Sequence, residues 1–225
     1  MNFESIADWS TRGIESFNTD ISLVTQLSDY FSFSDYFSSK YHKSLNVSFE
    51  FLWMLLMIED KRYFLHLGLD PFSILRATLS NYHKGRILQG ASTITQQLYD
   101  IKQYGTNNLR KKTIDRKVRQ TLWAFYHSCV SNKMEDLNYY LTHIYWGKSF
   151  YGINQASYGY IGFEPFKLSF GESFFLIERL GCPNKIRSER IMVLLSRPRI
   201  LAKFKDADID RLRQLYLRSF SIIPI

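Results

Sequence analysis

The longest apolar run in the chain is Phe51 to Ile58, eight residues that end at the acidic pair Glu59-Asp60. The stretch Glu50 to Leu65 around it reads as helical. Pro71, whose fixed φ suits a first helical position, opens a second helix that runs to about His83 and stops at Lys84-Gly85. Thr93-x-x-Gln96 is a capping box that follows the turn residue Gly90 and starts a third. Ile114, Val118, Leu122, Phe125 and Cys129 recur at steps of three to four. They predict a helix that packs on that side and turns Arg116, Gln120, Trp123 and His127 to solvent or ligand. Leu137, Tyr140, Leu141, Ile144 and Tyr145 repeat the spacing up to Gly147, and further helices are expected over Gly171 to Leu180, Glu189 to Leu195 and Asp206 to Phe220. Alternating strand patterns are short and scarce, so the fold class is all-α, with a core built from helix stripes. Residues 1–44 are set apart as an arm rich in Ser and aromatics, and 45–225 form the main domain.

Composition narrows the function classes. The 225 residues are 45% hydrophobic and 22% charged, ordinary globular usage that excludes a disordered or fibrous chain. A net charge of +8 favours an anionic partner such as nucleic acid, an acidic membrane surface or a phosphorylated substrate. Cys129 and Cys182 have neither C-x-x-C nor Cys/His metal spacing, which excludes a disulfide-stapled fold and calls for no metal site. No segment reaches the ~18 to 20 apolar residues of a membrane span, and no secretory signal opens the chain.

Three clusters carry candidate chemistry. In the first, Glu59 follows the apolar run, where desolvation is expected to raise its pKa toward what a general base needs; Asp60 is adjacent, and the Gly68 turn brings His66 back toward the carboxylate. The second, Gln89 to Leu98, sets hydroxyl and amide side chains at a helix N-terminus, which suits a phosphate or a sugar hydroxyl. The third, Arg110 to Arg119, is a basic run able to neutralise a pyrophosphate, to dock on acidic lipid or nucleic acid, or to serve as a solvated face. A solvated cap and a plain capping box are the corresponding readings of the first two, and spacing does not decide among them.

Taken in order, Glu59-Asp60-x-x-x-Phe64-x-His66-x-Gly68-x-Asp70, the string Gly90-Ala91-Ser92-Thr93-Ile94-Thr95-Gln96-Gln97-Leu98, Arg116-Lys117, Tyr140-Leu141 and Tyr151-Gly152-Ile153 resemble the peptidoglycan glycosyltransferases. This family comprises the transglycosylase module of bifunctional penicillin-binding proteins and their monofunctional relatives. The resemblance runs from about Phe49 to Phe163. It implies an all-α, lysozyme-like glycosyltransferase domain with little or no sheet, acting on lipid-diphosphate-linked disaccharide (lipid II) and joining it into glycan strands with inversion. On this resemblance Glu59 is the general base, with Gln120 at the position of a second catalytic acid. Asp60, Phe64 and His66 shape the acceptor site, Ser92, Thr93, Thr95, Gln96 and Gln97 line the cleft, and Arg116 and Lys117 bind the diphosphate. The implied partners are the lipid-linked disaccharide, the growing glycan chain, a membrane surface and other cell-wall synthesis proteins, with no nucleic acid. The implied location is peripheral, on the outer (periplasmic) face of the bacterial inner membrane, with the cytoplasm left open. No cofactor is required by the sequence, and a divalent cation, Mg or Mn, stays open.

The chain departs from the family pattern at particular positions. Asp100 stands where the family has Lys, Gln120 where it has Glu, Ser128 and Asn138 where it has acids, and Thr142 where it has Asn. At ~4 Å and an effective dielectric of ~20, one charge contact is of order 4 kcal/mol, so reversing the sign at position 100 has consequences for a diphosphate. These departures support an alternative: a catalytically impaired relative that binds lipid-linked glycan or a cell-wall synthesis partner without turnover. A lysozyme-like hydrolase would need a second suitably spaced carboxyl, which the motifs do not supply.

Overall fold

The computed structural model describes residues 33–83, 91–105 and 113–221. Its helices are α1 (Ser34–Tyr41), α2 (Phe49–Glu59), α3 (Pro71–His83), α4 (Ile94–Tyr104), α5 (Ile114–Val130), α6 (Lys133–His143), α7 (Gly152–Ala156), α8 (Phe170–Leu180), α9 (Ser188–Leu195), α10 (Pro198–Leu201) and α11 (Asp206–Phe220). A single turn of π-helix, Ser157–Ile161, follows α7, and a 3₁₀ turn, Pro165–Lys167, precedes α8. The only sheet among the described residues pairs β1 (Tyr145–Gly147) with β2 (Phe150–Tyr151), antiparallel, through a turn in which Lys148 and Ser149 both take positive φ. This is the all-α, lysozyme-like domain that the sequence implied.

The core is organised by α2. Ser48 caps its N-terminus by accepting the Phe51 amide at 3.0 Å. Every residue from Phe51 to Met57 is at most 1% exposed, so this helix is apolar on all sides and is enclosed by its neighbours. Each such large side chain contributes about 1.5–3 kcal/mol on burial. Helix α8 packs against α2 and α11, α1 packs against α2, and α4 packs against both α5 and α6.

The chain divides into two compact units, and α3 falls in the one that contains Asp70–Ala91. There Asp70 accepts the amides of Phe72 and Ser73 and the Ser73 hydroxyl, an N-terminal cap ahead of Pro71.

Two expectations need correction. The helix expected over Glu50 to Leu65 ends at Glu59, because Asp60 leaves helical geometry (φ −160°, ψ 81°) and turns its carboxylate inward. The stripe on α5 faces the other way from the packing expected of it. Ile114 is 86% exposed, Leu122 66% and Phe125 50%, whereas Gln120, Ala124 and Ser128 are buried. The reason is electrostatic: the side of α5 turned toward α4 satisfies a buried charge network. Of residues 1–44, those up to 32 lie outside the described residues. Within α1, Phe37 and Tyr41 rest on the Phe64 ring with centroids 4.7 and 4.9 Å away. No helix among the described residues is long and apolar enough to cross a membrane.

Candidate active site

The first turn of α4 is the hinge between two polar clusters. Thr93 caps it in a full capping box with Gln96, and the Thr93 hydroxyl donates to the Gly68 carbonyl at 2.6 Å. Gly68 takes φ +75°, and a Cβ there would meet the Ala124 carbonyl of α5. Only a glycine fits between the loop and that helix.

On one side of the turn stands Glu59, the last residue of α2. Its Oε2 accepts Gln97 Nε2 at 2.8 Å, and Gln97 Oε1 accepts the Tyr140 hydroxyl at 2.8 Å. The amide orientation follows from its partners, since an ionised carboxylate can only accept and the tyrosine hydroxyl can donate. Arg190 of α9 approaches Glu59 Oε1 at 3.4 Å, with side-chain exposures of 29% for Arg190 and 11% for Glu59. Arg190 lies 131 residues from Glu59, and no sequence motif pointed to it. Gly181 leaves room for it: a Cβ there would come within 2.8 Å of Arg190 Cζ.

Asp60 is buried and separate in role from Glu59. Its Oδ1 pairs with His66 Nε2 at 2.8 Å, and its Oδ2 accepts the Ile94 amide at 3.0 Å, at the start of α4. The Gly68 turn thus brings His66 to the carboxylate of Asp60, not to that of Glu59 as expected from the sequence. Two amides of the α4 N-terminus, those of Ile94 and Gln96, are engaged by Asp60 and Thr93. Phe64 joins the aromatic group of Phe37, Tyr41 and Tyr63. Thr95 is fully buried and accepts from Lys133 Nζ at 3.3 Å; the same ammonium reaches Ser128 Oγ at 3.3 Å and lies 4.6 Å from the Tyr63 ring centroid. Burial pushes the Lys133 pKa down against the opposing pull of Asp60 and Asp136. Lys133 was not singled out in the sequence, where it reads as an ordinary first-turn residue of α6.

On the other side lies the cationic cluster between α4 and α5. Lys117 Nζ donates to Ser92 Oγ at 3.0 Å, Gln96 Oε1 at 3.1 Å and Gln120 Oε1 at 2.9 Å. Arg116 NH1 holds Asp100 Oδ1 at 2.7 Å, and Gln120 Nε2 donates to Asp100 Oδ2 at 2.8 Å and to the Gln96 carbonyl at 2.7 Å. Burial lowers the Lys117 pKa; Asp100 offsets this and Arg116 adds to it. The rest of the basic run, Arg110 to Lys112, and Gln89-Gly90 lie outside the described residues. No three His, Cys, Asp or Glu side chains converge as a metal site among the described residues, and Gln120 turns its amide nitrogen, which cannot ligate a cation, toward Asp100.

The all-α domain thus sets an oriented carboxylate and a cation pair at either side of one helix start. The family model for Transglycosylase matches residues 28–203, and the chain belongs to that family. It is 37% identical over 130 residues to penicillin-binding protein 1A of Aquifex aeolicus (strain VF5), covering 56% of this chain and 17% of that protein. It is 35% identical over 131 residues to penicillin-binding protein 1A of Streptococcus oralis, covering 58% and 20%. With penicillin-binding protein 1C of Escherichia coli (strain K12) it shares 32% identity over 145 residues, covering 64% and 18%. The chain spans about a fifth of the length of these curated relatives.

Proposed function

We propose that the chain is a peptidoglycan glycosyltransferase that polymerises lipid-diphosphate-linked disaccharide, with Glu59 as the general base. The observation that carries this reading is the Tyr140–Gln97–Glu59 relay, which fixes one carboxylate oxygen and leaves the other facing the more open Arg190. In the reaction Glu59 takes the proton of the acceptor's sugar hydroxyl as that oxygen bonds to the donor's anomeric carbon from the face opposite the leaving group. The carbon–oxygen bond to the diphosphate breaks, the anomeric centre inverts, and the lipid diphosphate departs against Arg116 and Lys117. Asp60 and His66 support the site by anchoring the start of α4. The protein works peripherally on the outer face of the bacterial inner membrane, where exposed apolar residues of α5, among them Ile114, Leu122 and Tyr126, suit contact with lipid.

Purified protein incubated with labelled lipid-linked disaccharide in detergent is expected to give polymer, and Glu59→Gln is expected to abolish it. Polymer that persists in this variant overturns the assignment of the base. Running the assay with and without Mg or Mn tests the divalent-cation expectation.

A second reading, a relative that binds lipid-linked glycan without turnover, is favoured by one observation: Asp100 already pairs with Arg116. Polymer formation by the unmodified chain rejects it.

A further inference from the structure

The cation pair of α5 is not presented bare. Lys117 spends its three N–H donors on three neutral oxygens, so it is fully hydrogen-bonded yet keeps its charge. Arg116 is charge-paired with Asp100 at 2.7 Å, and side-chain exposures of 16% and 7% put this pair largely out of water. Gln120 grips the second Asp100 oxygen, so the carboxylate is held from two directions by groups on α5. Asp100 sits in the body of α4 and cannot swing away without breaking both contacts. Arg116, Lys117 and Asp100 therefore sum to one positive charge where two arrive on α5.

We propose that Asp100 is a specificity-determining residue, a built-in counter-anion that holds down the affinity of the Arg116–Lys117 site for a diphosphate and biases it toward phosphate ligands of lower charge. This rests on the reading of Arg116 and Lys117 as the diphosphate site. A ligand that approaches the pair meets the fixed carboxylate as well, and the penalty grows with ligand charge. In an effective dielectric of about 20, a like charge ~6 Å away costs enough to weaken binding by at least about tenfold.

The test is calorimetric titration of the full chain with inorganic pyrophosphate and with inorganic phosphate, for the wild type, Asp100→Asn, Asp100→Ser and Lys117→Met. Circular dichroism selects the Asp100 variants that keep the wild-type fold. The proposal expects pyrophosphate to bind at least about tenfold more tightly to the folded Asp100 variants, with a smaller gain for phosphate. A purely structural role for Asp100 would give a loss of binding, not a gain. Unchanged or weaker pyrophosphate binding in both folded Asp100 variants overturns the proposal while leaving the diphosphate reading intact. Lys117→Met binding pyrophosphate as well as the wild type overturns the diphosphate reading itself, and the proposal with it.

Discussion

Arg116–Asp100 and Arg190–Glu59 are the same chemical pair in two settings. The first closes to 2.7 Å with side chains 16% and 7% exposed; the second stands at 3.4 Å with 29% and 11%. In the first, both carboxylate oxygens are gripped by donors from a single neighbouring helix. In the second, one oxygen is fixed by an amide and the other faces an arginine at the more open end. Distance and exposure thus separate a carboxylate locked into a buried charge balance from one held more loosely, as the proposed role of Glu59 requires.

The largest effect expected from this contrast is kinetic. Glu59→Gln should lower the polymerisation rate by about 10²–10⁴-fold while shifting the urea unfolding free energy by less than about 1 kcal/mol. A variant that unfolds instead would make Glu59 a structural residue. Next in size, Arg116→Met should cost about 3–5 kcal/mol in urea unfolding, because it strands a buried charge. Arg190→Met, at the more open pair, should cost about 1 kcal/mol or less. Equal losses would erase the distinction. Tyr140→Phe removes one hydrogen bond to Gln97 and should cost ~1 kcal/mol, read as roughly a fivefold slower polymerisation from a less well aimed carboxylate.

The smallest effect concerns pH. Burial lowers the Lys117 pKa below its ordinary 10.5, so between that lowered value and 10.5 the unfolded chain binds more protons than the folded one. Stability gained from this group therefore rises with pH in that window. The melting temperature of the wild type relative to Lys117→Met should climb as the pH approaches 10.5 from below. A flat difference would mean that the ammonium is solvated.

Much of this was legible in the sequence, and the reasons are local. Helices α3 and α11 span the residues their patterns indicated, and the Thr93–Gln96 box forms as its spacing requires. The side that α5 buries was not legible. Periodicity assigns apolar residues to the inside, but the charge of Asp100 on α4 draws Arg116, Lys117 and Gln120 inward and leaves Ile114 and Leu122 outside. Adjacent acids also parted company at a helix end, because the turn at Asp60 rotates one carboxylate inward and leaves the other at the rim. Arg190 could not be read from local pattern at all, since only tertiary packing brings α9 to Glu59.

Gly68 carries a consequence of its own. Its carbonyl holds the Thr93 hydroxyl, while its missing side chain lets the Ala124 carbonyl approach. A single added methyl here would wedge loop from helix and disturb the seating of both charged groups without touching either. Loss of activity at this position would report on how the framework spaces base and cations, and chemical rescue of the reacting groups would not restore it.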